Sequence, residues 1–172
     1  MTTRRTSRGG QCRSGKAGLY HGDFTQRETA MAFLAPVNPA ALNAHAANTL
    51  VSNLGIVVTA AGDDWLRGTM PVDARTVQPY GILHGGASVA LAETLGSMAG
   101  NLCVDTTKEM VVGLEINANH VRAMRGGVVT GTARALHVGR STQLWEIRIE
   151  NDEGKLVCVS RLTLAVVPVP KA

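Results

Sequence analysis

Residues 84–101 read HGGASVALAETLGSMAGN. Ala, Gly, Ser, Val and Leu dominate these eighteen residues and Glu93 is their one charge, a profile that predicts a long helix apolar on every side, hence a buried central helix. An ionised carboxylate in such a place is costly unless it is paired, hydrogen-bonded or reached by solvent. Glu93 is therefore the first candidate for chemistry. Gly86, Val89, Ala90, Ser97 and Gly100 share one face with it and are small or modest in size, which leaves room above the carboxylate for a substrate or a second chain. The alternative is a structural glutamate that caps a group across an interface.

Upstream of this helix, Asn38-Pro39 opens a helical pattern of about ten residues through Leu42, Ala46 and Leu50, with Asn38 as N-cap and proline at the favoured first position. Residues 56–60 and 65–72 read as strands joined by a Gly62-Asp63-Asp64 turn, and 76–81 (TVQPYG) is a loop. Downstream, residues 110–123, 128–138, 142–150 and 156–167 alternate as four strands, punctuated by Arg125-Gly126-Gly127, Gly139-Arg140 and the turn at 151–154. A sheet of this kind covers one long helix only by curling around it, so the expected class is α+β, a curled antiparallel sheet wrapped around one central helix.

A chain of 172 residues is the size of one domain. Apolar residues make up 45% but aromatics only 3%, so the core must be aliphatic. The net charge of +4 is confined to residues 1–30, which hold six basic and two acidic residues; eleven of each remain beyond them. A neutral body argues against a nucleic-acid partner. Residues 1–30 have no periodic apolar pattern and are expected to form a disordered basic extension, with Met31 as a candidate true start and 31–172 as the folded domain. Cys12, Cys103 and Cys158 are odd in number without CxxC spacing, as for reduced thiols. No apolar run is long enough for a membrane span and no secretory signal is read, so the expectation is a soluble cytoplasmic protein.

His84 precedes the long helix, and Gly85 and Gly86 begin it, where amides lack helical partners and the helix dipole is positive. Without a Cβ, these glycines let a ligand oxygen reach the backbone, as an oxyanion hole requires. At about 100° per residue, nine residues place His84 and Glu93 on opposite sides of the helix. One helix cannot aim both at one point. If the two cooperate, the helix start of one subunit must meet Glu93 of another, which predicts an obligate dimer with two equivalent sites.

VQPYGILHGGASVALAETLGSMAG (77–100), with VVGLEINANHVR (111–122) and MPVDARTVQPYG (70–81), strongly resembles the hotdog-fold thioesterases of the PaaI-like group, nearest their 4-hydroxybenzoyl-CoA and 1,4-dihydroxy-2-naphthoyl-CoA branch. The likeness runs from about residue 50 to 167. It implies a hotdog fold and hydrolysis of an aromatic or related acyl-CoA, without cofactor or metal, by a homodimer with shared sites that pairs into a dimer of dimers. It also implies Glu93 as catalytic carboxylate, Gln78 and His84 as orienting groups, the Gly85 amide for the oxyanion, and Ser97 steadying the attacking water. Glu93 would act as general base or as nucleophile through a mixed anhydride, and both remain open.

By family position Arg122, Ser141, Thr142 and Arg161 are candidates for the phosphates of coenzyme A; each reads equally as a polar residue on the solvent face of a strand. His120 and His137 lack metal-ligand partners nearby in sequence and read as structural histidines. Menaquinone biosynthesis and aromatic-acid catabolism are two candidate settings. The rival functions are a hotdog hydratase or dehydratase and a non-catalytic acyl-CoA-binding module.

Overall fold

The computed structural model describes residues 33–170; the expected basic extension of residues 1–30 lies outside them. The described chain runs α1 (Pro39–His45), α2 (Leu50–Asn53), β1 (Val57–Ala61), β2 (Trp65–Pro71), α3 (Gly85–Asn101), β3 (Glu109–His120), β4 (Val128–Val138), β5 (Thr142–Glu150) and β6 (Leu156–Pro168). The strands form one six-stranded sheet in the order β1-β2-β4-β5-β6-β3, antiparallel at every step. Helix α3 packs on β2 through β6, so the sheet curls around it as a hotdog arrangement demands.

Packing explains the small residues of α3. A Cβ at Gly96 would lie 2.5 Å from Leu162 Cδ2, and one at Gly100 2.5 Å from Leu164 Cδ1, so glycine lets the helix rest directly on β6. The helix's own Leu91 and Leu95, and around it Leu66, Met70, Ile147, Ile149, Leu162 and Leu164, are fully buried. Trp145 is buried with them, stacked on Phe33, and donates through Nε1 to Gln143 Oε1 at 3.0 Å. Gln143 in turn donates to the Gly100 carbonyl at 3.2 Å, so the buried amide has its partners and ties the helix end to β5.

Three expectations need correction. The single first helix is two: Asn48 takes a left-handed φ of 60°, and Thr49 with Ser52 forms a reciprocal capping box that starts α2. Strand β3 stops at His120 rather than residue 123, because the amides of Val121 and Arg122 both turn to the Val157 carbonyl. Helix α3 is not buried on every side. Its sheet-facing side, Ala87, Ser88, Leu91, Ala92, Leu95, Gly96, Ala99 and Gly100, is buried; Val89, Ala90, Ser97 and Met98 are half-buried, and Glu93 is exposed. One curled sheet covers one side of a helix, and in a single chain the other stays open.

The two edges of the sheet differ. On β1, the Asn43 side chain from α1 donates to the Val58 carbonyl at 2.9 Å and accepts from the Val58 N–H at 2.8 Å, as a neighbouring strand would. On β3, one side pairs with β6; along the other no strand pairs among the described residues, and the Val111 N–H there donates to Asn101 Oδ1 at 3.3 Å. Leu114 on that strand is 63% exposed.

Candidate active site

The loop before α3 is a rigid frame. Val77 bridges Leu83, the Gln78 N–H donates to the Ile82 carbonyl, and the Gly81 N–H returns to the Gln78 carbonyl at 2.8 Å with Gly81 at φ 68°. Buried Thr76 donates its hydroxyl to the Pro71 carbonyl at 2.7 Å and accepts from the Asp73 N–H. Ahead of it, the Arg75 guanidinium hydrogen-bonded to Asp73 holds that carboxyl below the usual carboxylate range. Gln78 and His84 thus leave a loop whose backbone is tied at both ends, the second tie being the His84 N–H to the Thr76 carbonyl.

His84 is the N-cap of α3. Its Nδ1 accepts from the Gly86 N–H at 2.8 Å, which assigns the remaining ring proton of a neutral imidazole to Nε2 and makes that atom a donor. Its carbonyl takes the amides of Ala87 and Ser88. The Gly85 N–H is left over: among the described residues it meets no acceptor, at the positive end of a seventeen-residue helix.

Beside it is an open cavity of about 360 Å³, lined by Gln78, Ile82, Leu83, Gly85, Ser88, His120, Val121, Arg122, Ala123 and Val157. Of the residues read from sequence, one chain therefore brings Gln78, Gly85 and Arg122 to one space, with His84 next to Gly85. Arg122 donates through Nε to the Leu156 carbonyl, which fixes it at the rim. Glu93 and Ser97 are not in the lining; they lie further along α3 on its open side, with Glu93 Oε1 against β3 at Gly113. Ser141 and Thr142 stand at the β4–β5 turn, and exposed Arg161 sits on β6 opposite Glu146 and Asn117, also away from the cavity.

His120 is not the satisfied structural histidine that the sequence suggests. It is exposed, its ring has no hydrogen-bond partner among the described residues, and its Nε2 lies 2.9 Å from where a Gly85 Cβ would be. The end of β3 thus folds over the start of α3 and lays an imidazole across the bare helix terminus. The only hint in the sequence was its place two residues before Arg122 in NANHVR. His137 lines no part of the cavity. Burial pushes the Cys103 thiol up to about 12, so it carries almost no thiolate near neutral pH and is no nucleophile. Among the described residues no group of three or more His, Cys, Asp or Glu is placed to hold a metal ion, and no helix is long and apolar enough to cross a membrane.

A family model described as the thioesterase superfamily matches residues 80–158. The chain is 54% identical over 126 residues to a 1,4-dihydroxy-2-naphthoyl-CoA hydrolase of Escherichia coli K12, covering 73% of this chain and 92% of that protein. It is 56% identical over 128 residues to the proofreading thioesterase EntH of Cronobacter sakazakii, covering 73% and 91%. Among solved structures it matches a Pseudomonas aeruginosa thioesterase, crystallised as a glutamine-to-alanine variant, with a TM-score of 0.79, 52% identity, and coverage of 80% of this chain and 99% of that one.

Proposed function

The chain belongs to the thioesterase superfamily of hotdog hydrolases, and from that premise we propose that it hydrolyses an aromatic or similarly bulky acyl-CoA, with 1,4-dihydroxy-2-naphthoyl-CoA as the leading candidate, in sites shared between two copies. The carrying observation is the unclaimed Gly85 N–H, which opens on a cavity beside Gln78 while Glu93 faces outward from the same helix. The thioester carbonyl oxygen would accept from Gly85, with Gln78 and the Nε2–H of His84 fixing the acyl group. Glu93 of the partner subunit would take a proton from water as its oxygen bonds to the carbonyl carbon, Ser97 steadying that water. Negative charge collects on the oxygen held by Gly85. When the tetrahedral species collapses, the C–S bond breaks and CoA leaves as thiolate, to be protonated by solvent. Direct attack by Glu93 would reach the same products through an anhydride that water then opens.

Assembly follows from the two open surfaces. Pairing β3 to β3 would continue the sheet across two copies and set one open α3 face toward the other, and a dimer of dimers would bring Ser141, Thr142 or Arg161 of another copy toward the CoA phosphates. The reading places the protein in the cytoplasm, in menaquinone biosynthesis, with residues 31–172 as the catalytic domain. Its test is release of free thiol from a panel of short, long and aromatic acyl-CoAs. Turnover should be greatest on aromatic members; tight binding with no turnover on any would replace the enzyme with an acyl-CoA-binding module.

A further inference from the structure

Strand β3 has a notch beneath Glu93. If Gly113 carried a Cβ, the one heavy atom within 4 Å beyond its own neighbours would be Glu93 Oε1, at 3.2 Å. Elsewhere in the sheet the missing side chains admit the core: Gly68 and Gly131 each receive a methyl of Leu95. Gly113 is different, being exposed and facing a carboxylate oxygen alone. The register of β3 against β6 also shifts between Gly113 and Glu115, so the strand is irregular directly under that carboxylate.

We infer that Gly113 is a positioning residue, whose bare backbone sets where the Glu93 carboxylate rests. The inference rests on the reading of Glu93 as the catalytic carboxylate. A Cβ at 3.2 Å from an oxygen is a tight contact, and the exposed glutamate would relieve it by retreating a few tenths of an ångström. The fold would not notice, because the displaced atom is the tip of a flexible side chain. The reaction would, because a misplacement of about 1 Å can cost about 10²-fold in rate, and a fraction of that should cost about tenfold. Stability should move the other way if it moves at all, since alanine loses less backbone entropy on folding than glycine.

The test compares Gly113→Ala, Glu93→Gln and the double variant, using benzoyl-CoA and thiol release for kcat and KM, with melting temperature and light-scattering mass alongside. Gly113→Ala should lower kcat about tenfold with KM within about twofold, an unlowered melting temperature and wild-type mass. In the Glu93→Gln background it should have no further effect, because nothing is left to misplace. Gly113→Val should deepen the loss. Wild-type kcat in Gly113→Ala, an equal loss in both backgrounds, or a fall in melting temperature or mass would overturn the role of Gly113. If Glu93→Gln alone turns over nearly normally, the catalytic reading of Glu93 falls and takes this inference with it; if Glu93→Gln is inactive and Gly113→Ala is normal, Gly113 alone is struck out.

Discussion

Glu93→Gln preserves the length of the side chain and its capacity for hydrogen bonds while removing the charge that would accept a proton. We expect kcat to fall about 10²-fold or more with KM little changed, measured by thiol release. A rate near wild type would remove Glu93 from the chemistry. This residue was legible because it is the one charge in residues 84–101, and Gly85 because a glycine pair follows a histidine at a helix start. The cost of burying the carboxylate, which first drew attention to it, is not incurred in a single chain, where Glu93 is exposed. His120 and Gly113 were illegible for a common reason. Each stands out through one close approach, to Gly85 and Glu93 respectively, that exists only once β3 is laid over α3, and neither residue type in a strand announces such an approach.

Helix α3 is placed by shape more than by polarity. Gly96→Ala should improve intrinsic helix propensity by up to about 1 kcal/mol, yet its new methyl would press on Leu162 Cδ2, and overpacking a core typically costs about 1–3 kcal/mol. We expect a net loss of stability in urea unfolding; equal or greater stability would mean the β6 side chains yield more easily than their burial implies. Strand existence and turn positions were readable from alternation and from Gly-Asp, Arg-Gly-Gly and Asn-Asp-Glu-Gly punctuation, with ends good to a few residues. The break between α1 and α2 was not, since Leu42, Ala46 and Leu50 keep helical spacing through it. Leu50 is 64% exposed, so its place in that pattern carried no burial, while Thr49 and Ser52 held the local signal that ends the pattern. The open side of α3 was equally hidden. Small apolar residues line both sides of the helix, and only the topology tells which side the sheet of the same chain covers.

At the scale of the whole molecule, removing residues 1–30 should leave thiol release and melting temperature unchanged, and a large drop in either would place that segment in the working protein. The shared site has a sharper test. Glu93→Gln and Gly85→Pro subunits should each be inactive alone, the proline removing the Gly85 N–H at the first position of a helix, where its backbone is tolerated, and its ring pushing aside the exposed His120 imidazole. Mixed under exchange conditions, they should form heterodimers in which one site is wild type and the other doubly defective, returning about half of the wild-type activity per heterodimer. Silence from mixed dimers verified by mass spectrometry would mean that the residues act within one chain. The carboxamide of Asn43, closed on Val58, bears on a different matter. A sheet with two bare edges is a monomer with two reactive ends, and β1 of each copy could take up β3 of the next without limit. If copies meet through β3 as proposed, Asn43 would act as an end-cap in the polymer chemist's sense, leaving each chain monofunctional, so that growth would stop when two β3 edges have met. Asn43→Ala should restore the second functional group. Its light-scattering mass should then climb with concentration while the wild-type mass stays level, and a flat profile in the variant would show that β1 needs no cap.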